Sequence, residues 1–367
     1  MELLTNGPSW VNGLSWADIS VIVLYFLFLV NLGFRYRKSG DEKSYFLAGR
    51  GMTWSVIGFS LFAASISSST LIGQAGDAYS TGIAVFNYNL ISVLVMVFFA
   101  WFILPHYIKS NIFTIPEFLE KRFNVASRYY FSFITIIVNI FLDAAGSLYA
   151  ASMVMKLVFP EASLTTLSAV FALIVAVYTI PGGLSAAIRV DLMQGIFLLI
   201  GSAILTFYAS YNGGATYVKE LLLEGDYLMK LVRPIDDASV PWLGMIVGIP
   251  VLGMFFWGNN QQLVQRVLTA KSVDEGRKGV LFVGFLTVLT LFLIIFPGVM
   301  SINLFPGLER PDLVYPNMVM NLLPNILVGL MIAAIVAALT SSLSGLLNAV
   351  ATLFTMDFYA KMNPESS

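Results

Sequence analysis

Residues 62 to 73 read FAASISSSTLIG, with the hydroxyls of Ser65, Ser67, Ser68, Ser69 and Thr70 set in a stretch otherwise long and apolar enough to cross a bilayer. Serine has middling helix propensity because its side chain competes for backbone hydrogen bonds. Five hydroxyls in six positions, flanked by Ala63, Ala64, Gly73 and Gly76, therefore mark a place where a helix comes apart. One or two serines would instead be read as packing, since small residues let neighbouring helices approach and hydroxyls bond back to the preceding turn. A break at membrane depth is tolerated only where the freed backbone groups face protein, water or a ligand.

The composition makes lipid part of the solvent. Of 367 residues, 58% are hydrophobic and 11% charged, against roughly 25% charged in soluble domains. Cysteine is absent, which removes disulfides, thiolate nucleophiles and thiolate-held metal centres. The single histidine, His106, is too few for a histidine-built metal site, and a net charge of -1 gives nucleic acid nothing to bind.

A spanning helix needs about 20 mostly apolar residues. Nine such segments are present, near 16 to 34, 51 to 73, 82 to 105, 129 to 158, 163 to 180, 184 to 210, 240 to 265, 277 to 301 and 323 to 355. The first is too long and too late for a signal peptide. With the amino terminus outside, fifteen of the twenty basic residues fall on the inner side. The positive-inside rule then predicts a multi-pass protein of the plasma or inner membrane, with its amino terminus outside. Residues 211 to 239 form an outer connection, and the inner stretch 106 to 128, with Pro116 and EFLEKRF, reads as an interfacial amphipathic helix.

A second interruption lies in GMFFWGNNQQLVQR (253 to 266), where Gly253, Gly258, Asn259, Asn260, Gln261 and Gln262 break an apolar run. Two broken helices about 190 residues apart are what a duplicated transporter fold gives. The alternative is that WGNNQQ is the cytoplasmic end of a helix. The last segment carries Thr340, Ser341, Ser342 and Ser344. Helical spacing lets the carbonyl of Ala338 and the hydroxyls of Ser341 and Ser342 converge on one point. Neutral oxygens without a carboxylate suit a monovalent ion better than calcium, although these serines also suit packing alone.

The runs SYFLAGRGMTWSVIGFSLFAASISSSTLIGQAG, TIPEFLEKRF, YTIPGGLSAAIRVDLMQ, WGNNQQLVQRVLTAKS and SSLSGLLNAVATLFTMDFY, in this order between residues 44 and 359, resemble the sodium/solute symporter family, in particular its sodium/sugar branch. The resemblance implies an all-α membrane bundle with a LeuT-type inverted-repeat core. Residues 1–50 would then be an extra helix and basic inner loop, 51–210 the first repeat, 211–239 the outer connection and 240–367 part of the second repeat. It also implies a chain truncated after core helix eight, from which little or no transport is expected in isolation.

Carried over position by position, the resemblance implies a Na+ site made of the carbonyls of Ala63, Ile66 and Ala338 and the hydroxyls of Ser341 and Ser342. Asp191 resembles an acid of the sodium exit path or of a second sodium site, which in two-sodium members also draws on positions matching Ser341, Ser344 and Gly345. Glycine offers no hydroxyl there, which puts a second ion in doubt. The plainer reading pairs Asp191 with Arg189. Solute contacts are expected from Ser69, Thr70, Asn89, Asp143, Phe256 and Asn260, with Asp143 a mid-span acid that is functional by default. Sugar carriers of the family use Gln or His at the position of Thr70, Glu at that of Asn89, and a polar-tipped aromatic at that of Phe256.

The implied activity is sodium-coupled symport of a sugar or polyol by alternating access. Sugar acids such as sialic acid and amino acids such as proline are the second choice, and a transporter-like sensor is the alternative of another class. No phosphate-binding loop, activated nucleophile or metal cluster argues for an enzyme. The expected partners are the solute, Na+ and the bilayer, without an obligatory protein partner.

Overall fold

A computed structural model describes residues 14–35, 42–66, 69–159 and 161–363. Ser67 and Ser68 lie outside the described residues, as does the side chain of Ser69. The described chain is helical throughout, with two isolated backbone bridges and no strand.

The helices that build the site are α1 (Trp16–Arg35), α2 (Trp54–Ser65), α3 (Gln74–Thr81), α4 (Asn87–Phe98), α5 (Ile115–Arg122), α6 (Val125–Val138), α7 (Ala145–Val158), α8 (Leu164–Ala209), α9 (Trp242–Gly258), α10 (Gln261–Val267), α11 (Val273–Thr290) and α12 (Leu327–Leu353). Helix α8 packs on α12, α2 and α1, while α2 also packs on α11. The most apolar window of the helical run through α12 is 89% buried, against 11% for the run Val125–Met153. The serine-bearing helix is therefore central, and α6 with α7 forms an open flank.

By length and composition, five described helical runs can cross a membrane, or six with the bent pair α9 and α10. This is fewer than the nine segments expected, for three physical reasons. The run Leu164–Glu224 holds two expected segments, separated where Gly183 leaves the helix (φ 54°, ψ −155°). The run Thr70–Lys109 likewise joins the end of one segment to the next, with Gly82 (φ 75°) between. Finally, the apolar stretches Trp16–Asn31 and Trp54–Ser65 are short, the second because α2 stops at the serines.

Both expected interruptions are present. Helix α2 ends at Ile66, whose ψ of 91° is extended, and a π-helical turn over Ser69–Gly73 leads into α3. Helices α9 and α10 meet at 58° across Asn259 and Asn260. There the Asn260 side chain caps α10 by accepting from the Leu263 N–H at 3.4 Å. The interfacial helix expected in 106 to 128 is α5. It begins with a reciprocal cap in which Thr114 Oγ1 accepts from the Glu117 N–H (3.2 Å) and Glu117 accepts from the Phe113 N–H (2.8 Å).

Candidate functional site

A cavity of about 540 Å³ lies between the two broken helices, α12 and the open flank. Ala64, Ser65 and Thr70 reach it from the first break, Phe256, Asn259 and Asn260 from the second, and Ser342 with Leu346 from α12. Along the flank, Thr135, Asn139, Asp143 and Ser147 line it at intervals of four residues, which puts them on one helix face. A π-helical stretch over Asn139–Ala144 interrupts that helix at cavity depth. π-bulges recur at functional positions.

The first break satisfies part of its own backbone. Ser65 Oγ donates to the Phe62 carbonyl at 3.0 Å, and Thr70 Oγ1 to the Ser65 carbonyl at 3.3 Å. Ala63, Ile66, Ala338, Ser341 and Ser342 are all buried. The hydroxyl of Ser342, on the cavity wall, is buried without a hydrogen-bond partner among the described residues. Such an orphan costs desolvation free energy unless a ligand completes it, and a neutral hydroxyl oxygen is a type of ligand that fits Na+.

Ser341, the residue before it, is committed elsewhere. Its hydroxyl donates to Asp191 Oδ1 at 2.6 Å, while Ser60 Oγ on α2 donates to Asp191 Oδ2 at 2.9 Å. The Asp191 carboxylate thus joins α2, α8 and α12. Its cationic partner is Arg266 of α10, 75 residues away, with Nη2 at 2.8 Å and both side chains fully buried. Ser344 accepts from Thr179 Oγ1 at 2.9 Å. Arg266 and Ser60 were not singled out from the sequence.

Among the expected solute contacts, Thr70, Asp143, Phe256 and Asn260 line the cavity. Asn89 does not: its amide is paired reciprocally with Gln74 (3.0 and 3.1 Å) and donates to Thr290 Oγ1 at 2.9 Å. Gln261 and Gln262 touch the cavity, but their amides serve the scaffold. Gln261 holds the Ile115 N–H and the Phe113 carbonyl, and Gln262 donates to the Ser342 carbonyl at 3.3 Å. The stripe of Thr135, Asn139 and Ser147 was missed, although its spacing around Asp143 is visible in TIIVNIFLDAAGS.

A family model described as "Sodium:solute symporter family" matches residues 45–367. The chain belongs to that family. Sodium/glucose cotransporter 1 of Ovis aries is 32% identical over 395 residues, covering 96% of this chain and 59% of the relative. Sodium/myo-inositol cotransporter 2 of Homo sapiens is 34% identical over 404 residues, covering 97% and 58%. The sodium/glucose cotransporter of Vibrio parahaemolyticus is 33% identical over 387 residues, covering 97% and 71%. The chain thus spans somewhat under 60% of the length of several relatives it matches. Among solved structures, a Na+-coupled sialic acid symporter in a substrate-bound outward-open state superposes with a TM-score of 0.85 at 20% identity, covering 95% of this chain and 75% of that one. That likeness bears on the fold alone, and it supports the all-α LeuT-type bundle expected above.

Proposed function

We propose that this symporter-family chain forms the sodium- and solute-holding part of a carrier that moves a neutral sugar or polyol with Na+ across the plasma or inner membrane, its amino terminus outside. The observation that carries this reading is the buried, unpartnered Ser342 hydroxyl on a cavity wall shared with the first helix break. The Na+ ligands would be the carbonyls of Ala63, Ile66 and Ala338 and the hydroxyls of Ser341 and Ser342. Na+ when bound would contribute about 2.3 kcal/mol per charge for each 100 mV of membrane potential.

The chain's own residues account for the rest. The extended backbone at Ile66 and the 58° bend at Asn259 give two helices a joint at cavity depth, where one half can move while the other stays packed. Asp143 is the one carboxylate, and no Lys, Arg or His is present, among the described lining residues. A carboxylate accepts two hydroxyls of a polyol at once and repels an anion, which favours a neutral hydroxylated solute over a sugar acid. We read Asp143, Thr70 and Asn260 as the polar contacts, Phe256 as an apolar wall, and the chain as a transporter without catalysis of its own.

Uptake of a labelled solute panel by the full-length protein in vesicles, with sodium and with choline, tests this. Ser342→Ala should raise the half-saturating sodium concentration at least tenfold while the protein remains folded. Equal uptake in choline and sodium would remove the coupling, and an unchanged sodium requirement would remove Ser342 from the ion site.

A further inference from the structure

Helix α12 carries polar side chains on two neighbouring faces. Ser342 lines the cavity, whereas Thr340, Ser344 and Asn348, each four residues from the next, share the other face. Along that second face the Tyr178 hydroxyl donates to the Thr340 carbonyl at 3.0 Å and Thr179 Oγ1 to Ser344 Oγ at 2.9 Å, while Asn348 Nδ2 donates to the Ser344 carbonyl at 3.0 Å.

The remaining hold reaches α12 from the first helix. Gln194 Nε2 on α8 donates to the Tyr25 hydroxyl on α1 at 2.8 Å and to Thr340 Oγ1 at 3.2 Å, so one amide group joins three helices. Gln194 is buried and its Oε1 has no hydrogen-bond partner among the described residues. Tyr25 packs against the buried cluster of Leu29, Val175, Tyr178, Val190 and Leu343, and hydrogen bonds in such apolar surroundings are stronger than in water. Tyr25 is also a fixed point, because α1 is pinned to the start of α12: Asp18 Oδ1 accepts from the Ile326 and Gly329 N–H groups, both at 2.8 Å.

The consequence for α12 is rotational. Side-chain oxygens stand about 5 Å from a helix axis, so a turn of about 10° moves one by about 1 Å, and binding groups must be held to within about 0.5 Å. We propose that Tyr25 is a positioning residue for the sodium ligands: through Gln194 and Thr340 it fixes the rotation of α12 and with it the aim of Ser341 and Ser342. This rests on the sodium-coupled reading above. It gives the first helix, which contributes nothing to the described cavity lining, a part in ion affinity rather than in solute choice.

The test is sodium-dependent uptake by the full-length protein in vesicles, with the thermal unfolding midpoint measured alongside in detergent. Tyr25→Phe and Thr340→Val should each raise the half-saturating sodium concentration about tenfold, the scale at which partners of ligand residues act on metal affinity. Half-saturation by solute at saturating sodium should stay as in the wild type. The two changes break one chain of contacts, so the double variant should be no worse than either single one, and Thr340→Ser, which keeps the hydroxyl, should behave as the wild type. An unchanged sodium requirement in Thr340→Val or in Tyr25→Phe, whether or not the unfolding midpoint falls, would overturn the proposal and leave symport intact. So would fully additive effects in the double variant. Equal wild-type uptake in sodium and choline would instead overturn the sodium reading itself, and this inference with it.

Discussion

Arg128 Nη2 lies 2.7 Å from Asp357 Oδ1, a buried ion pair between residues far apart in sequence. The carboxylate also accepts from Thr114 Oγ1 at 2.8 Å, from Arg128 Nε at 2.8 Å and from Ser132 Oγ at 2.5 Å. It therefore ties the start of α5, the start of α6 and the extension of α12 together. Arg128 is held in turn by Glu120, which also receives Lys361 at 2.8 Å.

Removing one member of such a pair strands a buried charge, a loss of about 3 to 5 kcal/mol. Arg128→Met should therefore lower the thermal unfolding midpoint in detergent sharply, and Arg128→Met with Asp357→Leu should recover much of the loss. A single variant as stable as the wild type would mean that the pair is solvated and contributes little.

Gly183 makes a second stability prediction. Its φ of 54° lies in the left-handed region, and an added Cβ would stand 2.8 Å from the Tyr45 carbonyl and 2.9 Å from the Tyr45 ring. The Tyr45 hydroxyl in turn donates to the Ile180 carbonyl at 2.9 Å, beside this break in the helix. Gly183→Ala combines backbone strain of about 1 to 3 kcal/mol with a clash against backbone, and should unfold measurably earlier in a thermal-shift assay. Gly213 (φ 100°) has nothing within 4 Å of its Cβ direction, so Gly213→Ala should cost less.

What the sequence disclosed, and what it hid, follows from range. Both helix breaks were legible because their causes are local: hydroxyls competing for the backbone in ISSST, and glycine followed by amides in WGNNQQ. Asp191 stood out as an intramembrane acid, but its partner did not, because Arg266 reaches it only through the bend between α9 and α10. Asn89 was expected among the solute contacts because of its place in the family's pattern. Nothing local could reveal that Gln74, fifteen residues earlier, would meet it amide to amide. The stripe around Asp143 was local and periodic; it was overlooked because Thr135 and Ser147 are unremarkable singly.

The connection around Asp237, outside the long apolar helical runs, gives a pH prediction. The backbone N–H of Val240, the Tyr227 hydroxyl and the Ser239 N–H hold the Asp237 carboxyl below the usual carboxylate range, with Arg233 adding to the effect. A carboxylate whose folded pKa is depressed contributes stability above its unfolded pKa and loses it as pH falls through the folded value. The ordinary aspartate value is about 3.9, so the loop should be fully held at pH 5 and loosen as the pH falls through the depressed folded value. Hydrogen exchange of residues 225 to 241 at pH 5 and pH 3 checks this, and protection unchanged by acid would show that Asp237 does not hold the loop.

Asp143 carries the solute prediction. It faces the cavity from the π-helical stretch, with no basic side chain among the described lining residues to neutralise it. Asn at this position keeps the size, loses one acceptor and the charge, and so weakens a paired-hydroxyl contact while removing the repulsion felt by an anion. Hydrogen bonds to a charged group contribute about 1.5 to 3 kcal/mol, and 1.4 kcal/mol corresponds to a factor of about ten. In the full-length protein, Asp143→Asn should therefore reduce apparent affinity for neutral polyols about tenfold or more. Competition by a sugar acid of the same size should improve, and Na+ binding measured without solute should stay as in the wild type. If the ratio of neutral to anionic solute affinity did not move, Asp143 would not face the solute, and the polar stripe would serve only to hydrate an open helix flank.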